Sequence, residues 1–147
     1  MIRVAIGGHR GKVGAVLVAA LRSEPDIDYV GGLGRGDDMP AFLRQHAPQA
    51  FVDFTRPSEA LRNALAAVDG GSAPVIGTTG LTADAIDSIE AACRDRGIGG
   101  IVAPNFAVGA VLMMHLAEIA APHFDAVEVI EMHHLSLIHI SEPTRPY

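Results

Sequence analysis

The run Ile2-Arg3-Val4-Ala5-Ile6-Gly7-Gly8-His9-Arg10-Gly11-Lys12-Val13-Gly14 decides how the rest of the chain is read. Ile2, Val4 and Ile6 lie in a short, mostly apolar segment of the kind that forms a buried strand. The glycines that follow interrupt it, and Ala15 to Leu21 has helical character. Strand, tight bend and helix start therefore lie within one short stretch, with glycines at 8, 11 and 14 in a GxxGxxG spacing. Glycine lets the backbone turn sharply and come close to a pyrophosphate. The free N–H groups and positive dipole end of the next helix then attract the anion. Gly14 is expected to let that helix pack closely on the strand. A glycine-rich bend also serves as a plain tight connection, so its position in the chain has to decide between the two.

That position is informative, because the chain goes on alternating strand and helix. The first helix is expected over about Lys12 to Ser23, a turn at Pro25-Asp26, and a second strand over Asp28 to Leu33. A short helix from Met39 to His46 stops before Pro48. A third strand follows from Gln49 to Phe54, and Thr55-Arg56-Pro57 leads into a helix ending at Asp69-Gly70-Gly71. Pro57 suits the first helical turn, where its missing N–H is harmless, and Glu59 complements the dipole there. Pro74-Val75-Ile76 is a fourth strand closed by Gly77-Thr78-Thr79-Gly80. Thr82 is a plausible cap for a helix from Ala83 to Arg96, ended by Gly97. A fifth strand spans Ile98 to Ala103. Crossovers of these lengths connect parallel strands, and the natural architecture is α/β, a doubly wound, Rossmann-like parallel sheet.

Beyond residue 106 the pattern changes. Ala107 to Ala121 reads as a helix that is apolar nearly all round, and such a helix is buried on most faces. One sheet face does not cover it, which implies a second domain or a subunit partner. Its methionines read as core filling. Glu128 to His134 reads as a sixth strand. The adjacent pair His133-His134 on a strand points to opposite faces, so the two do not share a metal readily, and no metal site is expected.

Composition limits the function further. A net charge of −6 argues against a general nucleic-acid binder. A dinucleotide phosphate would need local cations, and Arg10, Lys12 and Arg35 lie where they can supply them. One cysteine, Cys93, excludes an internal disulfide and fits a reducing, cytoplasmic setting. The most apolar stretch, Ile101 to Ala121, is interrupted by Pro104, Asn105, His115 and Glu118 and falls short of a membrane span.

In sheets of this kind the loops at the C-terminal strand ends line the ligand crevice. Here they are Gly8 to Gly14, Gly34-Arg35, Asp53-Phe54-Thr55, Gly77-Thr78-Thr79-Gly80 and Ala103-Pro104-Asn105-Phe106. At the end of the second strand, where a carboxylate would accept ribose hydroxyls, stands Gly34 followed by Arg35. This pairing favours NADPH over NADH, although a solvated arginine in a polar loop fits as well. A single histidine beside the cofactor as proton donor is the better reading of the His pair.

Five segments, in order, resemble the 4-hydroxy-tetrahydrodipicolinate reductase (dihydrodipicolinate reductase) family of lysine and diaminopimelate biosynthesis. They are Val4 to Gly14, Val52-Asp53-Phe54-Thr55-Arg56-Pro57, Val75 to Gly80, Ala103 to Gly109 and Glu128 to His134. The resemblance implies a dinucleotide-binding domain over 1–106 and the start of an α+β substrate and tetramerisation domain over 107–134. It also implies a homotetrameric full-length enzyme that reduces a cyclic imine dicarboxylate with NADPH or NADH. By the same resemblance Gly8, Gly11, Lys12, Val13 and Gly14 hold the pyrophosphate, and Arg35 meets a 2′-phosphate. Phe54, Thr55, Gly77, Thr78, Thr79, Ala103, Pro104, Asn105 and Phe106 contact the remainder of the cofactor. His133 matches the proton donor and His134 a substrate-carboxylate contact. After His134 the family pattern expects a lysine and Asp-Ala-Pro-Ser-Gly-Thr. Residues 135–147 read otherwise, and are taken as a non-native tail. Lacking those groups, the chain itself is expected to be inactive. The alternative is an NAD(P)H-binding or sensing module without catalysis.

Overall fold

The computed structural model describes residues 1–103 and 105–130. The chain divides into two compact units, Met1–Val108 and Gly109–Tyr147. In the first, strands β1 (Ile2–Gly7), β2 (Ile27–Leu33), β3 (Ala50–Asp53), β4 (Ala73–Ile76) and β5 (Ile101–Val102) form one sheet in the order β2-β1-β3-β4-β5. Every pairing is parallel. Helices α1 (Lys12–Ser23), α2 (Met39–His46), α3 (Pro57–Asp69) and α4 (Ala83–Arg96) make the crossovers.

Local chemistry sets the helix ends. Asp38 caps α2 by accepting the Ala41 N–H at 2.9 Å, and Thr82 caps α4 through the Ala85 N–H at 3.3 Å. Gly97 ends α4 in the left-handed conformation at φ 63°. Ala47 takes the same conformation at φ 37° to end α2, an unusual duty for a residue with a Cβ.

Two clusters of the core lie on the sheet face that carries Ala5, Phe51 and Ile76, while Val4 and Ile6 of β1 are buried on the other. Leu43 of α2 and Ala67 of α3 cover Ala5, Leu33 and Phe51. Ala60, Ala64 and Val68 of α3 pack with Ile89 and Cys93 of α4 on Ile76. The crossover through α1 steps to one side of β1, and the next three step to the other. Right-handed connections therefore put α1 on the face opposite α2, α3 and α4. The doubly wound parallel sheet anticipated from the strand–helix alternation is thus formed, with its order reversing between β1 and β3.

Two expectations change. The fifth strand is only Ile101–Val102 rather than Ile98 to Ala103, because its length is set by the partner it pairs, Val75–Ile76 at the end of β4. Gly99-Gly100 also offers no side chain to hold an extended segment. Glu128 to Ile130, expected to begin a sixth strand, carry no strand structure, and the remainder of that segment lies outside the described residues. A strand needs a ladder partner, and these residues pair with none among the described residues.

In the second unit, α5 (Val108–Ala120) is followed by a single 3₁₀ turn, Ala121–His123. None of the residues of α5 is buried, and Met113 is 69% exposed. The described residues do not bury this apolar helix, in keeping with the expectation that one sheet face would not cover it.

Candidate nucleotide-binding site

The site grows from the bend after β1. Gly8 sits at φ +80°, where a Cβ would also fall 2.6 Å from the Phe54 carbonyl oxygen. The Gly8 N–H donates to Leu33 O at 2.8 Å and its carbonyl accepts from Gly11 N–H at 2.8 Å, which turns the chain into α1. A Cβ on Gly14 would stand 2.1 Å from Gly8 O, so the close approach that Gly14 permits is to the bend itself rather than to the strand. The backbone N–H groups of Lys12, Val13 and Gly14 begin α1 and have no acceptor among the described residues. Free donors and a dipole end together make an anion cradle without side chains in the way. A dinucleotide pyrophosphate fits these residues.

His9 lies across Gly32 of β2, where a Cβ would meet its ring carbon at 2.4 Å. Its Nε2 accepts from Arg10 Nε at 3.2 Å, which fastens Arg10 to the bend. The opposite ring nitrogen, Nδ1, is buried with no partner among the described residues.

Beside the bend is a cleft of about 520 Å³ lined by Gly8, Gly11, Gly34, Arg35, Asp37, Phe54, Thr55 and Arg62, among others. It opens at the C-terminal ends of β1, β2 and β3, across the point where strand order reverses. Ligands of open α/β sheets bind there. Arg35 is exposed at its edge.

One feature of this edge was missed by sequence reasoning. Gly34 itself offers no carboxylate, but its N–H donates to Asp37 Oδ2 at 2.7 Å. The turn runs through Gly36 at φ +88° and returns an acidic side chain to the end of β2. The signal was present as an aspartate three residues beyond Gly34, with a glycine between them.

The loops after β3, β4 and β5 converge around Phe54. Its N–H donates to Gly7 O at 3.1 Å, and a Cβ on Gly77 would meet its ring at 2.2 Å. The ring centroid lies 5.9 Å from that of Phe106. Asp53, at the end of β3, is fully buried. It accepts from the Thr55 N–H at 3.0 Å, the Thr55 hydroxyl at 2.8 Å, the Thr78 hydroxyl at 2.7 Å and Asn63 Nδ2 at 2.8 Å. Thr55 and Thr78 therefore direct their hydroxyl protons inward, while Thr79 is exposed. Asn105 accepts the Ala107 N–H through Oδ1 at 2.8 Å, and Ala103 N–H donates to Ile76 O at 3.0 Å.

The structure brings together Gly8, Gly11, Arg35, Phe54 and Thr55 at the cleft, with Lys12, Val13 and Gly14 at its helical edge. Gly77, Thr78, Thr79, Ala103, Asn105 and Phe106 sit at the ends of the next two strands. Pro104, His133 and His134 lie outside the described residues. Among the described residues no cluster of His, Cys, Asp and Glu side chains could hold a metal ion, and no helix is long and apolar enough to cross a membrane.

Comparison with known proteins gives this arrangement its family. The family described as dihydrodipicolinate reductase, N-terminus, matches residues 2–106. A 4-hydroxy-tetrahydrodipicolinate reductase of Coxiella burnetii is 44% identical over 133 residues, covering 90% of this chain and 56% of that protein. One from Mycolicibacterium smegmatis is 42% identical over 134 residues, covering 90% of this chain and 54% of that protein. The chain thus spans about half the length of these curated relatives. Among solved structures, the dipicolinate-bound dihydrodipicolinate reductase of Paenisporosarcina sp. TG-14 superposes with a TM-score of 0.76 at 32% identity. That match covers 84% of this chain and 55% of that one. A biliverdin reductase of Synechocystis, bound to biliverdin and NADP⁺, shares the fold alone, with a TM-score of 0.59 at 16% identity over 67% of this chain and 36% of that one. With its glycine bend, its switch-point cleft and its gathered strand-end loops matched over residues 2–106, the chain belongs to the dihydrodipicolinate reductase family.

Proposed function

We propose that this chain is the dinucleotide-binding part of a 4-hydroxy-tetrahydrodipicolinate reductase, acting in lysine and diaminopimelate biosynthesis. The observation that carries the reading is the cleft between Gly8–Gly11 and Gly34–Asp37, beside an α1 N-terminus whose first N–H groups have no acceptor among the described residues. Family membership and the relatives' names support the reaction.

In this reading Gly8, Gly11, Lys12, Val13 and Gly14 bind the pyrophosphate through backbone N–H groups, with Lys12 adding charge. Phe54, Thr55, Gly77, Thr78, Thr79, Ala103, Pro104, Asn105 and Phe106 orient the nicotinamide end and exclude water beside it. The bound nicotinamide supplies the hydride. His133 delivers a proton to the reduced substrate, which suits an imidazole because it titrates near neutrality. His134 binds a substrate carboxylate. The domain limits proposed are 1–106 for cofactor binding and 107–134 for the start of the substrate and tetramerisation domain, with α5 as apolar surface for that assembly. The single cysteine supports a cytoplasmic setting.

Arg35 favours NADPH by meeting a 2′-phosphate, and Asp37 limits that preference by offering ribose hydroxyls an acceptor. Fluorescence titration of the chain with NADPH and NADH tests both. Arg35→Ala lowers the NADPH:NADH affinity ratio and Asp37→Ala raises it, each by about tenfold, the worth of one charge-assisted hydrogen bond. Equal ratios in all three proteins would remove the assignment. For the reaction, residues 1–134 are joined to the C-terminal part of the Coxiella relative and supplied with the aldolase product of pyruvate and aspartate semialdehyde. NADPH oxidation is expected, with His133→Gln reducing it about 10²- to 10⁴-fold at unchanged cofactor affinity. An NAD(P)H sensor without catalysis would instead bind the coenzyme and show no turnover to lose.

A further inference from the structure

Asp53 stands among the fully buried side chains of the sheet, and none of the ion pairs among the described residues involves it. Four donors converge on it, and an ionised carboxyl, accepting on both oxygens, satisfies all of them. Oδ1 takes the Thr55 N–H, the Thr55 hydroxyl and the Thr78 hydroxyl, while Oδ2 takes Asn63. These donors belong to three separate pieces of chain: the loop after β3, the loop after β4 and the body of α3. The first strand makes room for the carboxylate. Gly7 is paired with Asp53 in the sheet, and a Cβ there would lie 3.2 Å from Asp53 Oδ2 and 2.9 Å from the Phe51 ring. The main chain repeats the link, since Asp53 O accepts the Gly77 N–H at 2.9 Å. A buried charge is costly unless fully hydrogen-bonded, so its place at the C-terminal strand ends, under the cleft, calls for a role there.

We propose that Asp53 is a positioning residue. Its carboxylate locks the Phe54-Thr55 and Gly77-Thr78 loops at one fixed separation, so that their backbone and the Phe54 ring meet the nicotinamide half of the coenzyme already in place. The proposal rests on the dinucleotide reading above. Binding to preordered loops avoids the entropy of ordering them at the moment of association, and the benefit reads out as affinity.

The structure supplies its own control. Ser72 is fully buried as well, and its hydroxyl donates to Pro48 O at 2.6 Å, at the opposite end of the sheet where β3 and β4 begin. Ser72→Ala removes a buried hydrogen bond and leaves the cleft untouched. The test compares the full chain with Asp53→Ala, Asp53→Asn and Ser72→Ala, recording melting temperature and NADPH affinity for each. Asp53→Ala weakens NADPH binding by about 10- to 100-fold, as when the supporting hydrogen bonds of a site are removed. Asp53→Asn keeps an oxygen for the Oδ1 donors and lets the Asn63 amide flip to face the new NH₂, so it recovers most of the affinity. Ser72→Ala melts lower and binds NADPH like the parent. Should Asp53→Ala fail to fold, Asn63→Ala takes its place, removes the Oδ2 bond together with the longer 3.4 Å bond from Asn63 Nδ2 to the Thr55 hydroxyl, leaves the Oδ1 donors in place, and is expected to weaken binding several-fold at a Ser72→Ala-like melting temperature.

Asp53→Ala, or Asn63→Ala in its stead, binding NADPH no more weakly than Ser72→Ala overturns the proposal and leaves the dinucleotide reading standing. No recovery in Asp53→Asn overturns it as well. A parent chain that binds no NADPH overturns the dinucleotide reading, and this inference with it.

Discussion

Replacing Gly14 by alanine places one methyl group against the backbone of the phosphate bend. The added Cβ would lie 2.1 Å from Gly8 O, 2.8 Å from Gly8 C and 2.8 Å from His9 Cα. An ordinary contact needs about 1 Å more than the first of these, and no flexible side-chain end is present to yield. Either α1 moves outward or the bend opens. Overpacking of this kind costs about 1–3 kcal/mol, and the upper end applies where backbone must shift. A loss of about 3 kcal/mol is a large share of a domain's total stability of about 5–15 kcal/mol. For a unit of this size it lowers the melting temperature by about 15 °C. Gly11→Ala is the comparison. Gly11 has φ −74° and ψ 168°, which alanine adopts freely, and its Cβ would meet only Gly8 O at 3.2 Å. A small gain from a less flexible unfolded chain, about 0.4–1 kcal/mol, offsets that tight contact, so stability changes little. The methyl group would instead stand where the backbone must approach the pyrophosphate, and NADPH affinity falls by about tenfold or more. Thermal melts followed by circular dichroism, with NADPH fluorescence titrations on the same samples, separate the two effects. A Gly14→Ala protein melting with the parent, or a Gly11→Ala protein losing as much stability as Gly14→Ala, would refute the packing argument.

Two further outcomes follow from single residues. Ala47 holds a left-handed conformation at φ 37° and is exposed, so Ala47→Gly relieves strain and is expected to raise stability by about 0.5–1 kcal/mol in urea melts; an unchanged or lower midpoint would contradict this. Burial in the α3–α4 core pushes the Cys93 thiol above its ordinary pKa, and burial likewise raises Tyr29, opposed by the Arg22 guanidinium. A raised folded-state pKa contributes stability that is full below the unfolded value and is lost as pH rises through the folded one. Urea midpoints should therefore fall on the alkaline side, less steeply in Cys93→Ala, and a thiol reagent should label native protein slowly at neutral pH. Equal slopes, or fast native labelling, would show the thiol to be less shielded than the core packing implies.

Sequence by itself determined the order of strands and helices in the first unit. Alternating apolar runs, Pro57 at a helix start, the Thr82 cap and the Gly97 stop all act within a few residues, so local chemistry makes them legible. It also marked the strand-end loops, because small and hydroxyl-bearing residues cluster there. The short β5 and the absence of a strand at Glu128–Ile130 were decided by pairing partners, which no local pattern contains. Only the fold showed that Asp53 gathers Thr55, Asn63 and Thr78, the last of them 25 residues away, or that Asp37 turns back onto Gly34. A hydrogen bond between distant positions exists only once the sheet has brought its strand ends to one edge. The residue types were visible in the chain, and their partnerships were not.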